Sequence, residues 1–318
     1  MSSAGSRAER IARNLAIAEK FYDGYHGSVA RGYLERVFEP VDFAAEWVFC
    51  SPYLAGEMRQ AAENFLAEGA VANHATISQR IPDYKMDDFK AWPTERGCAW
   101  RWRVNGHGLD GQLHEFWEQL FLWTDDDGKV TRFEFYDDWH GFPQALVYAY
   151  DQELDDLTKI EHYGDHPWTP GPPMSIDPPS HPPRDDPPAN ARVARNLELA
   201  TKFFDAHHRS VERGSVAGAF DPVDFATEWV LFSPWFGETT QTADAGYAAT
   251  ADAEHRRIWA RLPDYRMDDF EAWPTDDGCA WRWRVHGTAV DGTSYEFWEQ
   301  FFIDTDDAGK ITRFEFYD

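Results

Sequence analysis

The sequence predicts an α+β protein built from two tandem domains, each with helices first and a curved, mostly antiparallel sheet after them. Three observations support this prediction. Most of the chain matches itself, apolar residues recur at helical spacing early in each copy, and they alternate with polar residues later in each copy. The length of 318 residues is that of about two ordinary domains.

The internal repeat is strongest over 25 residues. Segments 82–106 and 263–287 are identical at 20 of 25 positions, and both contain CAWRWRV. A second match pairs RIARNLAIAEKFYDGYH (10–26) with RVARNLELATKFFDAHH (192–208). Such extended self-similarity indicates a duplicated domain.

Residues 164–190 separate the two copies and hold 10 of the 19 prolines. Proline fixes φ and lacks a backbone N–H, so this stretch is predicted to be an extended linker. We therefore predict domain 1 over residues 8–163, including a helical extension at its C-terminal end, and domain 2 over residues 191–318.

Three helices are predicted in domain 1. Residues 8–26 have apolar side chains at helical spacing, residues 29–38 form a second short helix, and residues 57–80 form a third. The first strand, AEWVFCSP, ends at Pro52. Four more alternating segments follow: YKMDDFKAWP, GCAWRWRVNG, LHEFWEQLFLW and KVTRFEFYDDW. Because ERG, NGHG and DDDG are turn sequences between them, these four should pair antiparallel.

Composition excludes several classes of function. The chain has 30 Lys and Arg against 56 Asp and Glu, a net charge of −26, which disfavours nucleic acids and anionic membranes as partners. Three cysteines form no disulfide framework or metal-ligand pattern, and nucleotide-binding and metalloprotease motifs are absent from the sequence. We expect no cofactor and no metal, and, without a signal-peptide or membrane-spanning pattern, a cytoplasmic location.

Alternation along a strand separates the two residue types of CAWRWRV. Trp100 and Trp102 should point to one face of the sheet, while Arg101 and Arg103 point to the other. Two indoles suit an apolar interior better than two guanidinium groups, so we place the tryptophans inside and the arginines on the outer face. On the next strand, Glu115 has the parity to pair with the arginines.

Three local sequences, FYDGYHGS, RWRVNGHG and DDDGKVTRFEFYDD, occur in an order that resembles the nuclear transport factor 2-like superfamily. The similarity is greatest to its SnoaL-like and ketosteroid-isomerase-like branch. The resemblance implies two cone-shaped domains, each a curved, mostly antiparallel sheet wrapped by three helices around an apolar chamber. Members of the superfamily commonly dimerise through the outer sheet face, which implies an intramolecular pseudo-dimer here, with a homo-oligomer as a further alternative.

Candidate catalytic residues come from several elements. His74 and His255 occupy equivalent positions, and histidine suits proton transfer near neutral pH. The resemblance implies an acid/base role for Asp137 on the final strand, and a role for Tyr25 and His26 where dehydratase-like members carry a catalytic tyrosine. For each residue the alternative is a core or surface position without a catalytic role.

Glu118 and Glu299 share the parity of the apolar chamber face, where an isolated carboxylate is either functional or paired with a buried group. Aromatic residues on the same faces are candidates for substrate binding, with simple core packing as the alternative. These are Trp100, Trp102, Phe133, Phe135, Tyr53, Trp281 and Trp283.

The predicted function is that of a cofactor-independent lyase or isomerase, of elimination, dehydration or retro-aldol type, acting on a hydrophobic, hydroxylated aromatic or polycyclic substrate. A polyketide cyclase and a non-catalytic binding or assembly module are the alternatives. Isomerases of this branch carry an aspartate before a proline on the first strand, whereas this chain has Ser51-Pro52 and Ser233-Pro234. We expect domain 1 to be the active one, because residues 138–157 could cap its chamber.

Overall fold

A computed structural model describes residues 6–26, 42–50, 57–58, 81–108, 111–137, 188–234 and 237–317, with only the backbone of Glu57, Met58, His114 and Asp137. Contacts divide the chain into two compact units, Met1–Ile176 and Asp177–Asp318. The finer boundaries given above, including the linker, stay a prediction.

Domain 1 begins with helix α1, Arg7–His26, and continues with strands. The strands are β1 Phe43–Cys50, β2 Glu57–Met58, β3 Lys85–Thr94, β4 Gly97–His107, β5 Leu113–Thr124 and β6 Val130–Asp137. They form one sheet in the order β2-β1-β6-β5-β4-β3.

Domain 2 repeats this arrangement. Its helices are α2 Ala191–His208, the short α3 Ser210–Arg213 and α4 Ala245–Arg261, with two 3-10 turns at Ala217–Phe220 and Pro222–Asp224. Its strands are β7 Phe225–Ser233, β8 Gly237–Thr242, β9 Arg266–Pro274, β10 Gly278–Thr288, β11 Ser294–Thr305 and β12 Ile311–Tyr317, in the order β8-β7-β12-β11-β10-β9.

The predicted α+β class is confirmed, and β3 to β6 pair antiparallel as their turns require. The first long strand of each domain lies parallel to the last one, as β1 with β6 and β7 with β12. This pairing makes each sheet mixed, with most of its strand pairs antiparallel.

One predicted helix boundary is wrong. Residues 57–80 were expected to be helical, but Glu57 and Met58 form β2, which pairs with β1. In domain 2 the corresponding helix starts only at Ala245, where the side chain of Asp244 accepts a hydrogen bond from the Gly246 N–H at 2.7 Å. The remainder of the predicted helix 57–80 and the predicted helix 29–38 lie outside the described residues.

The first helix of each domain packs a phenylalanine across the paired indoles. Phe21 of α1 lies 5.8 Å, between ring centroids, from both Trp100 and Trp102. The helix is also anchored by a buried amide, because the Asn14 Nδ2 donates to the Thr94 carbonyl oxygen at 2.8 Å. Domain 2 makes the equivalent contacts through Phe203 and Asn196.

The predicted faces of CAWRWRV are confirmed, since Trp100 and Trp102 are fully buried in the core. The outer face does not expose the arginine, however. Arg101 is 3% exposed and its equivalent Arg282 is 0% exposed. Each guanidinium lies over an indole, at 4.6 Å from Trp117 in domain 1 and 4.3 Å from Trp298 in domain 2. The second arginine, Arg103, pairs with Glu115 at 3.2 Å as predicted.

The buried arginine also holds a bulge in the neighbouring strand. The β3–β4 register shifts between Asp87 and Lys90, and Asp88 in between has φ +52°. The Arg101 Nη1 donates to the Asp88 carbonyl oxygen at 2.6 Å. The same bulge recurs in domain 2, where Asp269 has φ +52° and accepts from Arg282 at 2.8 Å.

The left-handed conformation of Asp88 gives a testable prediction. A β-branched side chain is poorly tolerated at positive φ, whereas glycine adopts it freely. We expect Asp88→Val to lower the free energy of unfolding by about 2 kcal/mol more than Asp88→Gly does. Both variants lose the 3.5 Å ion pair with Arg101, so their difference in urea unfolding isolates the backbone effect. Equal losses in the two variants would contradict it.

Candidate functional site

The end of helix α2 carries a histidine into the interior of domain 2. His207 follows Phe203 by four residues, so both lie on the buried stripe of the helix, and His207 is only 4% exposed. Their rings stack at 4.3 Å between centroids. The equivalent position in domain 1 is Tyr25.

Helix α4 brings a second histidine to the first. His255 follows the buried Ala248 and Ala251 at spacings of seven and four residues, which places it on the inward face of α4. The ring centroids of His207 and His255 are 5.0 Å apart, with the planes at 64°. The structure thus gathers the predicted His255 and a histidine from the preceding helix into one pair.

Backbone carbonyls fix the tautomer of both rings. The Nδ1 of His207 lies 2.8 Å from the Phe203 carbonyl oxygen, and the Nδ1 of His255 lies 2.9 Å from that of Ala251. A carbonyl oxygen only accepts hydrogen bonds, so each Nδ1 carries the proton and each Nε2 keeps its lone pair. Neither Nε2 has a hydrogen-bond partner within the described part of the chain.

Burial keeps this pair neutral. Desolvation lowers the pKa of His207 to about 3, with a further lowering from the nearby His255. Desolvation also lowers the pKa of His255, against an opposing effect of its backbone hydrogen bond and of Asp252 and Glu254. His255 is therefore the stronger base of the two.

A buried tryptophan–glutamate pair lies beside the histidines. The Trp283 Nε1–H donates to Glu299 Oε2 at 2.5 Å, and the Trp283 ring centroid is 5.4 Å from that of His207. Residues 283 and 299 are direct neighbours on β10 and β11, which explains why the contact forms. Domain 1 makes the same bond between Trp102 and Glu118.

Two further polar groups face the interior of domain 2. The Trp281 Nε1–H is buried and makes no hydrogen bond among the described residues. Burial raises the pKa of Tyr247 to about 12, and its ring contacts Phe220 and Trp229 at 4.9 and 5.0 Å between centroids.

In domain 1, Tyr25 is half-buried and stacks on Phe21 at 4.9 Å. His26 is exposed, and its Nδ1 is 2.5 Å from the Met86 carbonyl oxygen. Phe133 stacks on Trp100 at 5.9 Å, and Phe135 packs at the margin of the same core.

Three predicted residues are described incompletely or not at all. The backbones of Asp137 on β6 and Glu118 on β5 lie directly opposite each other. The side chain of Asp137 is not described. His74 and Tyr53 lie outside the described residues.

Sequence reasoning missed His207 and Tyr247 as members of the site. His207 stands at the position that Tyr25 occupies in the first copy of the repeat. Its signal in the sequence is a polar residue four positions after Phe203, on the apolar stripe of a helix. Tyr247 has no equivalent signal, because its inward direction depends on how α4 packs against the 3-10 turn at Ala217–Phe220.

An open depression of about 580 Å³ lies on the outer side of α2. Two of its charged side chains already have partners: Lys202 pairs with Asp221 and Asp224, and Glu198 pairs with Arg195. None of the predicted site residues lines it. The described residues contain neither a cluster of three or more potential metal ligands nor a helix long and apolar enough to cross a bilayer.

The lowered pKa of His207 predicts a pH-dependent stability. Between pH 6.5 and 3 the unfolded chain binds a proton at this residue and the folded chain does not, so stability falls as the pH falls. We expect domain 2 to lose about 2 kcal/mol between pH 6.5 and 5 relative to a His207→Phe variant. Urea titrations followed by NMR signals of domain 2 measure this loss, and parallel pH dependence in both proteins would contradict it.

The Trp283–Glu299 pair predicts a second measurement. Glu299→Gln keeps an acceptor for the indole N–H, whereas Glu299→Leu leaves it buried and unpaired, which costs roughly 1–3 kcal/mol. We expect the Trp283 indole proton to resonate furthest downfield in the wild type, less so in Glu299→Gln and least in Glu299→Leu. An indole signal that stays in place across all three proteins would argue against the bond.

No protein-family model matches the chain, and no curated protein is significantly similar to it. Solved structures do match it. One is a nuclear transport factor 2-like protein of unknown function from Exiguobacterium, with 18% identity, a TM-score of 0.27, and coverage of 37% of this chain and 96% of that chain.

A second match is a protein with a ketosteroid isomerase-like fold from Catenulispora acidiphila, in complex with trimethylamine, with 15% identity, a TM-score of 0.29, and coverage of 38% and 85%. A third is a phenazine biosynthesis-related protein from Pseudomonas aeruginosa, with 16% identity, a TM-score of 0.28, and coverage of 39% and 79%. The described residues form two domains whose six-stranded sheets share one strand order, and each of these solved structures covers less than half of the chain.

Proposed function

We propose that the protein is a cofactor-independent lyase or isomerase that uses general acid/base chemistry on a hydrophobic, hydroxylated aromatic or polycyclic substrate. The observation that carries this proposal is the buried pair of neutral histidines in domain 2, with rings 5.0 Å apart and both Nδ1–H groups held by backbone carbonyls. A histidine held in one tautomer inside an apolar interior is suited to moving a proton at Nε2.

In this proposal His255 is the base. Its Nε2 removes a proton from the carbon next to a substrate carbonyl, and the electron pair moves to the carbonyl oxygen, where the Trp281 Nε1–H stabilises the enolate. The enolate then re-forms the carbonyl and a carbon–carbon double bond forms, while the hydroxyl on the adjacent carbon takes the proton from the His255 imidazolium and leaves as water. His207, the weaker base, orients the substrate.

Glu299 has a positioning role, because its carboxylate is already bonded to the Trp283 indole and holds that ring beside His207. The corresponding roles of His74, Asp137, Glu118, Tyr25 and His26 in domain 1 remain proposals. The idea that domain 1 is the active one depends on residues 138–157, which lie outside the described part of the chain. The geometry that supports catalysis belongs to domain 2.

A polyketide cyclase is the alternative within the same chemistry, since cyclisation also begins with proton removal next to a carbonyl. The alternative from another class is a non-catalytic module that binds a hydrophobic ligand, for which the same aromatic walls would serve. A cytoplasmic location, a pseudo-dimer formed through the outer sheet faces and a homo-oligomer likewise stay proposals.

The proposal predicts turnover of flat β-hydroxy ketones. We expect loss of water, seen by mass spectrometry, from at least one member of a panel of β-hydroxy ketones fused to aromatic rings. His255→Asn should lower kcat by about 10²–10⁴-fold, because the base is removed. His208→Asn is the control, since His208 lies beside His207 at the end of α2 and its Nδ1 bonds the Met267 carbonyl oxygen at 2.6 Å. It should leave kcat nearly unchanged.

The parallel variant His74→Asn measures the share of domain 1 in turnover. Loss of turnover in His74→Asn with full turnover in His255→Asn would move the activity to domain 1. Saturable binding of the panel without any product in the wild type would refute catalysis and favour a binding module.

A further inference from the structure

The two histidines of domain 2 form a site made only of hydrogen-bond acceptors. With each Nδ1–H held by a carbonyl, each ring presents a lone pair at Nε2. Burial lowers the pKa of His207 to about 3, so that lone pair persists at neutral pH. Two acceptors cannot satisfy one another, and no donor reaches either Nε2 from the residues that the structure describes.

The surroundings of His207 are flat and apolar. Phe203 stacks on the imidazole at 4.3 Å, Trp283 lies at 5.4 Å, and Phe220 meets it edge-on at 6.2 Å, all between ring centroids. A neutral hydroxyl can donate to this acceptor without losing the hydration of a charged group, and the nearby Glu299 carboxylate is already bonded to the Trp283 indole.

A buried donor complements these acceptors. The Trp281 Nε1–H has no partner among the described residues, and Phe203 lies 5.5 Å from the Trp281 ring as well as 4.3 Å from His207. Trp281 and His207 therefore both pack against Phe203 in the core of domain 2. A molecule that satisfied both would carry a hydroxyl that donates and a second oxygen that accepts.

Domain 1 does not repeat this arrangement. At the position of His207 it carries Tyr25, whose hydroxyl can donate as well as accept. The indoles, the glutamate and the phenylalanine of the helix are all shared between the domains. Among these groups, which the structure describes in both domains, the position of His207 and Tyr25 is the one that differs.

We propose that domain 2 selects neutral, flat ligands that bear a hydroxyl, through a hydrogen bond from that hydroxyl to Nε2 of His207, and that domain 1 lacks this selection. The assignment rests on the proposed function, since it places the substrate in the same interior. It concerns binding rather than turnover, so the two can fail separately.

Matched probes test this selection. 2-Naphthol and 2-methoxynaphthalene share the flat ring system, but only the naphthol donates a hydrogen bond. We expect the wild-type protein to bind 2-naphthol at domain 2 at least tenfold more tightly, measured by NMR titration of the domain 2 signals. His207→Phe should reduce the ratio of the two affinities to about one, while the control His208→Phe should leave it unchanged.

A readout in the wild-type protein avoids dependence on the folding of His207→Phe. On addition of 2-naphthol, the ¹⁵N resonance of His207 Nε2 should shift upfield, and 2-methoxynaphthalene should not cause this shift. Equal affinities for the two probes, binding of neither, or an unshifted His207 Nε2 would each overturn the proposal.

The exchange of residues between domains gives a further test. Tyr25→His should leave the preference of domain 2 for 2-naphthol over 2-methoxynaphthalene unchanged, and His207→Tyr should lower it. A lower preference in Tyr25→His with an unchanged one in His207→Tyr would overturn the assignment. Selective naphthol binding without turnover of the β-hydroxy ketones would uphold this inference and remove the proposed catalysis. Turnover of the β-hydroxy ketones with equal affinities for the two probes would uphold the proposed catalysis and overturn this inference.

Discussion

Each domain depends on the packing of one helical phenylalanine across two neighbouring indoles. Phe203 contacts both Trp281 and Trp283, and this contact fixes where helix α2 lies on the sheet. Because His207 follows one turn later on the same stripe, the contact also delivers that histidine to the interior. The position of His207 is therefore a consequence of core packing, not of a loop that could move independently of the sheet.

The duplication shows which parts of this arrangement are structural. Both domains keep the phenylalanine, the two indoles and the buried glutamate bonded to the second indole. They differ at the helix end, where a tyrosine in one copy stands for a histidine in the other. A scaffold held constant around one varied polar group is a natural way for two copies to acquire different ligands.

Much of this could be predicted from the sequence, because alternation and helical spacing are local properties. The faces of CAWRWRV, the inward parity of Glu118 and the antiparallel order of β3 to β6 follow from period-two patterns. The burial of Arg101 could not be foreseen, since it depends on an indole and a carbonyl from other strands. The pairing of His207 with His255 likewise requires two helices to meet, which no local pattern encodes.

The bulge at Asp88 sets the faces of strand β3. Met86 lies opposite Val104, yet Lys90 lies opposite Arg101, so residues of even number point inward before the bulge and outward after it. Loss of a single residue here would exchange the two faces of one half of the strand and bring the outer-face Trp92 inward. The two copies of this segment, 85–94 and 266–275, have the same length and differ only at Lys85/Arg266 and Lys90/Glu271, and both keep the bulge. A side chain can therefore be exchanged here without moving its neighbours to the other face, whereas a residue cannot be lost.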